Sequence, residues 1–202
     1  MSSGAEVRDE LLKFIPKLLN KTKIAHVTTA SQVEENKSYM EGETKYLKSL
    51  GCEVEEMTFE GCDKEKSAEL LKDVDLIYVQ GGNTFYLLKI LKESGAYDVI
   101  KEKVENGVPY VGVSAGSYIA CPTIEVATWG DQDDNNCGLK DLDAFNFVPF
   151  LMSVHFEEGD REVLDSEMKK TDLEVKILKD GQALFVEGGV VEFVGGDREI
   201  KI

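Results

Sequence analysis

The sequence predicts an α/β fold, a doubly wound and mostly parallel sheet flanked by helices. Apolar residues switch repeatedly between a helical period and a strand period, so strands alternate with helices at the cadence of right-handed crossovers. The segments LIYVQ (76–80) and YVGV (110–113) are apolar on both faces. Strands of that kind belong to the middle of a parallel sheet covered from two sides.

In chain order, Val7, Leu11, Phe14 and Leu18 fall at helical spacing, with Pro16 marking a break or a new first turn. KIAHVT (23–28) reads as a short strand. Tyr39, Met40, Tyr46, Leu47 and Leu50 form an amphipathic stripe that Gly51 closes as a C-terminal cap. Val54, Met57 and Phe59 follow as a strand, residues 67–73 as a helix and 76–80 as the next strand. Residues 85–92 and 97–106 read as helices, the second stopped by Gly107 and Pro109, before the strand 110–113. Residues 124–142 carry Asp131, Asp133, Asp134 and Asp141 with Gly130 and Gly138, and read as a long irregular excursion. Residues 152–155 resume a strand and 160–170 a helix. The short strands 175–178, 183–186, 190–194 and 199–202 are joined by DG, GG and GGD turns.

The chain has 202 residues, 42% hydrophobic and 31% charged, which fits one folded domain and neither a disordered nor a collagen-like chain. Lys and Arg number 23 against 39 Asp and Glu, a net charge of −16 that would repel phosphate backbones and anionic lipids. Nucleic acid and membrane are therefore not expected partners. Four cysteines without a CxxC pair read as reduced thiols, and there is neither a signal-peptide core nor an apolar run of about 18 residues, so the expected location is cytoplasmic.

Gly112-Val-Ser114-Ala-Gly116 lies between the strand 110–113 and a helical run. A sharp strand-to-helix turn strains its central residue and tolerates only small neighbours, and it projects the serine hydroxyl at the carboxyl edge of the sheet. The plainer reading is a glycine-flanked capping serine. A nucleophilic serine needs a base, and the chain has two histidines. His26 lies inside a predicted strand, where a satisfied core residue is expected. His155 ends a strand, where open α/β sheets place their sites, and is the expected base. The acid that fixes its tautomer is harder to choose. Glu187 is favoured because it ends the apolar strand Ala183-Leu-Phe-Val186 and precedes two glycines; Asp131 and Asp133 are the rivals. Gln80-Gly81-Gly82-Asn83-Thr84 follows the central strand and opens a helix, so its unhindered amides, with that of Ala115, form a candidate oxyanion site.

VQGGNTFYLLK (79–89), GVSAGSYIACPTI (112–124) and PFLMSVHF (149–156), in this order, resemble the peptidase S51 family, whose members include aspartyl dipeptidases and cyanophycinases. The resemblance runs over most of the chain. It implies a sheet akin to class I glutamine amidotransferases, with serine where those carry cysteine, and exopeptidase action on the bond after an N-terminal aspartate. It also implies Ser114 as nucleophile, His155 as base, Glu187 as third member, and Gly81 and Gly82 as lenders of oxyanion amides. Arg161 matches the arginine that grips the substrate's aspartate side chain. Two departures stand out: the family's usual first strand is missing from the opening residues, and Trp129 stands where the dipeptidases carry a charge-relay aspartate, with Asp131 nearby.

The expectation is a serine exopeptidase that needs no metal or cofactor and acts on small peptides with an N-terminal aspartate, with a homodimer favoured if the missing strand leaves an apolar edge. The rival expectations are a cyanophycinase-like or small-ester hydrolase with the same triad, and a catalytically silent homologue that binds a ligand in the same cleft.

Overall fold

The structure is a computed structural model that describes residues 1–3, 7, 21–36, 38–130, 132–196 and 199–202. Its central sheet is parallel, in the order β2–β1–β3–β4: β1 (Lys23–Val27), β2 (Glu53–Met57), β3 (Leu76–Val79) and β4 (Tyr110–Gly112). Ile24 pairs with Leu76 and Ile77 with Tyr110, so the strands end together at one edge. Alternation along β1 and β3 divides the apolar side chains between two cores. Ala25, Val27, Ile77 and Val79 face the larger core, and Ile24, Leu76 and Tyr78 the smaller. Helix α1 (Ser38–Ser49) contributes Leu47 to the smaller core. Helices α3 (Thr84–Glu93) and α4 (Ala96–Glu105) pack on the larger one through Phe85, Leu88, Leu91 and Ile100. Helices thus cover both faces, as apolar strands demand.

Local signals set the helix starts. Asp63 caps α2 (Lys64–Leu70) by accepting from the Lys66 amide at 2.8 Å, and Asn83 caps α3 by accepting from the Tyr86 amide at 2.9 Å. After β4 comes the one-turn helix α5 (Ala115–Tyr118), ended before Pro122. Residues 123–148 form a long excursion whose regular structure is one 3-10 turn, Glu125–Thr128.

Beyond β4 lie a parallel pair, β5 (Leu151–Ser153) with β6 (Val175–Ile177), and an antiparallel hairpin, β7 (Ala183–Glu187) with β8 (Val190–Val194). Between β5 and β6, a 3-10 turn at Glu158–Asp160 leads into α6 (Arg161–Met168). A cavity of about 580 Å³ separates β4 from β7, lined among others by Tyr110, Gly112, Phe147, Phe185 and Glu187. The expected strand 199–202 reduces to a single bridge from Ile200 to Ile177. The expected helix around Leu11 and Leu18 lies outside the described residues. Among the described residues no helix is long and apolar enough to cross a membrane.

Candidate active site

β4 delivers Ser114 through a turn that only its sequence permits. Ser114 sits at φ +50° and ψ −111°, a conformation side chains rarely adopt. A Cβ at Gly112 would overlap the Gly116 carbonyl, and one at Gly116 would overlap the carbonyl of Val79 on β3. Both glycines of the G-x-S-x-G string are therefore required by close backbone approach. The backbone is further held by the Ser114 amide, which donates to Met1 O at 3.0 Å, and by the Ser114 carbonyl, which accepts from Ser117 N at 2.7 Å.

His155 comes off the end of β5, also in the left-handed region at φ +59°. Its Nε2 lies 2.9 Å from Ser114 Oγ, and its Nδ1 lies 2.7 Å from Asp180 Oδ1. An ionised carboxylate only accepts, so Nδ1 carries the hydrogen toward Asp180 and Nε2 is left to accept from the serine hydroxyl. The order hydroxyl, imidazole, carboxylate is one that can raise the nucleophilicity of a serine. His155 and Asp180 are 41% and 54% exposed, so the pair opens to solvent.

The carboxylate on His155 is thus Asp180, which corrects the expectation of Glu187. β5 and β6 are parallel neighbours with Ser153 opposite Ile177, so His155 and Asp180 emerge side by side two and three residues further on. Gln182 N then donates to Lys179 O at 3.1 Å, closing a β-turn that reverses the chain into β7. Glu187 ends β7, four residues past Ala183 and about 13 Å along the strand at ordinary rise, beside the cavity and away from the histidine. The signal for Asp180 was its DG turn directly after a strand.

The remaining candidates are placed as follows. Among the described residues the amides of Gly81, Gly82 and Ala115 have no hydrogen-bond acceptor. A Cβ on Gly81 would come within 3.0 Å of Ser114 Cβ, so Gly81 lies against Ser114. Gly82, at φ +134°, packs so closely on Ala30 that no side chain fits there. Asp131 lies outside the described residues. Its neighbour Asp133 accepts from the Thr84 amide at 3.0 Å, and burial raises its pKa above the usual aspartate value, with that hydrogen bond opposing the rise. Asn83 Nδ2 donates to Asp134 O at 2.9 Å, pinning the acidic excursion over the glycine loop.

Arg161 begins α6, but its guanidinium fork is engaged by Glu158 at 2.8 and 2.9 Å and lies over the Phe156 ring. His26 is fully buried, bonded to Thr44 Oγ1 at 2.9 Å and Gln80 Oε1 at 3.2 Å, with its pKa lowered by burial. Among the described residues no group of three or more His, Cys, Asp or Glu is placed to hold a metal ion.

The model of peptidase family S51 matches residues 1–194. An uncharacterised peptidase of Pasteurella multocida is 32% identical over 190 residues, covering 92% of this chain and 90% of its own. A protein of Nostoc sp. named peptidase E is 30% identical over 93% of this chain and 78% of its own length. Among solved structures, a putative peptidase E protein from Listeria monocytogenes superposes with a TM-score of 0.87 at 30% identity, covering 98% of this chain and 96% of that one.

Proposed function

This chain belongs to peptidase family S51, and we propose that it is a serine-type exopeptidase that releases an N-terminal aspartate from short peptides through an acyl-enzyme. The observation that carries the serine mechanism is the unbroken relay from Ser114 Oγ through His155 to Asp180 Oδ1. Ser114 Oγ attacks the scissile carbonyl carbon as His155 Nε2 takes the hydroxyl proton. Asp180 holds the imidazole in its tautomer and stabilises the imidazolium without taking the proton. The amides of Gly81, Gly82 and Ala115 receive the oxyanion. His155 then gives its proton to the leaving amine, and water, deprotonated by the same Nε2, hydrolyses the ester.

The aspartate preference rests on the resemblance and on Arg161. Glu158 occupies its fork in an exposed pair three residues apart, which solvent screens and a substrate carboxylate of the same geometry can displace. Short peptides suit a nucleophile at a strand end with the excursion that Asn83 holds close by.

Two measurements test this reading. A fluorophosphonate should add to Ser114, located by peptide mass, and Asp-Leu should yield free aspartate faster than Ala-Leu yields alanine. No adduct at Ser114 removes the serine mechanism; an adduct with no preference for Asp-Leu removes the specificity alone.

A further inference from the structure

We propose that Ser2 is a positioning residue for catalysis, its buried hydroxyl locking Asp180 and His155 in the geometry that activates Ser114. The proposal rests on the serine mechanism above and extends it to a residue that is neither nucleophile, base nor acid.

Ser2 is fully buried. Its Oγ donates to Asp180 Oδ1 at 2.8 Å and accepts from the His155 backbone N–H at 2.8 Å. A hydroxyl has one hydrogen, and this one is committed to the carboxylate. Asp180 Oδ1 therefore receives two donors, Ser2 Oγ–H and His155 Nδ1–H, which together fix the roll of the carboxylate about its Cβ–Cγ bond. Among the described residues these are the side chains that hydrogen-bond Asp180. Without Ser2, a half-exposed carboxylate would be oriented by the histidine alone, in competition with water. The second contact acts on the base: His155 has a left-handed backbone unusual for a side-chain-bearing residue, and the bond from its N–H to Ser2 helps to hold it there.

The location of Ser2 gives this contact wider consequence. No strand ladder among the described residues joins β4, which carries the nucleophile, to β5, β6 or β7. Met1 and Ser2 bond to both sides. Met1 O accepts from Ser114 N at 3.0 Å, while Ser2 N donates to Gln182 O at 3.1 Å. The backbone fixes the two halves of the site at a common distance, and the Ser2 hydroxyl sets their register.

The test is a double-mutant cycle on the full chain, read by the rate of fluorophosphonate labelling and by kcat and KM on Asp-Leu. Ser2→Ala should lower kcat and the labelling rate by about 10- to 100-fold, the scale of a small misplacement, with KM held within about threefold. In an Asp180→Asn background the same change should cost several-fold less than in the parent, because the carboxylate it positions is already gone and only the bond to the His155 N–H remains to be lost. Ser2→Thr keeps the hydroxyl and should restore most of the rate. A merely structural role predicts equal fractional losses in both backgrounds, and that result overturns the proposal, as does a Ser2→Ala enzyme with parental kcat. Should Ser2→Ala fail to fold, Ser2→Thr decides: folded but as slow as expected for the alanine variant, it refutes the hydroxyl's role. Absence of any Ser114 adduct in the parent chain, visible before a variant is made, overturns the underlying mechanism instead.

Discussion

Replacing Asp180 by Asn removes a charge from His155 Nδ1 while keeping the size of the side chain. During acylation the imidazole becomes an imidazolium facing that carboxylate at 2.7 Å. Taken as charges about 4 Å apart, the two attract by about 1 kcal/mol in bulk water and about 4 kcal/mol at the effective dielectric near a protein surface. Asp180 is 54% and His155 41% exposed, so the value falls between these limits. A loss of about 2–3 kcal/mol corresponds to a kcat lowered about 30- to 150-fold. That is less than for a deeply buried triad acid, and the exposure is the reason. Stopped assays of aspartate release from Asp-Leu, with labelling rates as a second readout, give the number, and Glu187→Gln beside it should stay within about threefold of the parent. If Asp180→Asn retained near-parental kcat while Glu187→Gln or Asp133→Asn lost it, the assignment drawn from the geometry would be refuted.

Three further outcomes follow from the same site. Ser114→Gly should melt above Ser114→Ala, reversing the usual order, because relief of strain worth about 1–3 kcal/mol exceeds the entropy cost of about 0.5–1 kcal/mol for glycine; calorimetry showing alanine the more stable would deny the strain at φ +50°. Asp133 has a raised pKa, so the native state binds its proton more readily than the unfolded chain and stability falls as pH rises from the unfolded value through the native one. Asp133→Asn should therefore raise Tm at pH 7, with the gain fading below about pH 4, and an equal gain at all pH would refute burial of the charge. Arg161→Lys, which lacks the fork, should lower kcat/KM for Asp-Leu more than for Ala-Leu, and equal losses would release Arg161 from specificity.

The pairing of Ser114 with His155 was legible because what marks the two residues is local. Gly112 and Gly116 are demanded by backbone contacts within the turn itself and with β3, and a chain with two histidines leaves one at a strand end. The central sheet was legible for a similar reason, since strands apolar on both faces carry their burial in their own composition. The carboxylate on His155 was not legible. Thirty-nine carboxylates offered many strand ends, and which strands become neighbours is not written in any short segment. Nor was the partner of Arg161 legible: Glu158 stands three residues before it, in the 3-10 turn that leads into α6, one carboxylate among several near that helix start.

Glu187 and Asp180 satisfied the same local rule, a carboxylate at a strand end before glycine, and topology separated them. In a parallel sheet every strand delivers its carboxyl end to one edge, so the end of a strand is evidence of nearness to the site. β3, β4 and β5 obey, bringing Gly81, Ser114 and His155 together, and β6 follows β5 in register. The β-turn closed by Gln182 N on Lys179 O then reverses the chain, helped by Gly181 at φ +80°. From that point the rule inverts: β7 starts at the site and ends away from it, and its hairpin partner β8 runs back the other way. The carboxylate that reaches His155 on such a path is the one in the turn, before the reversal, which is where Asp180 stands and where Ser2 can reach it.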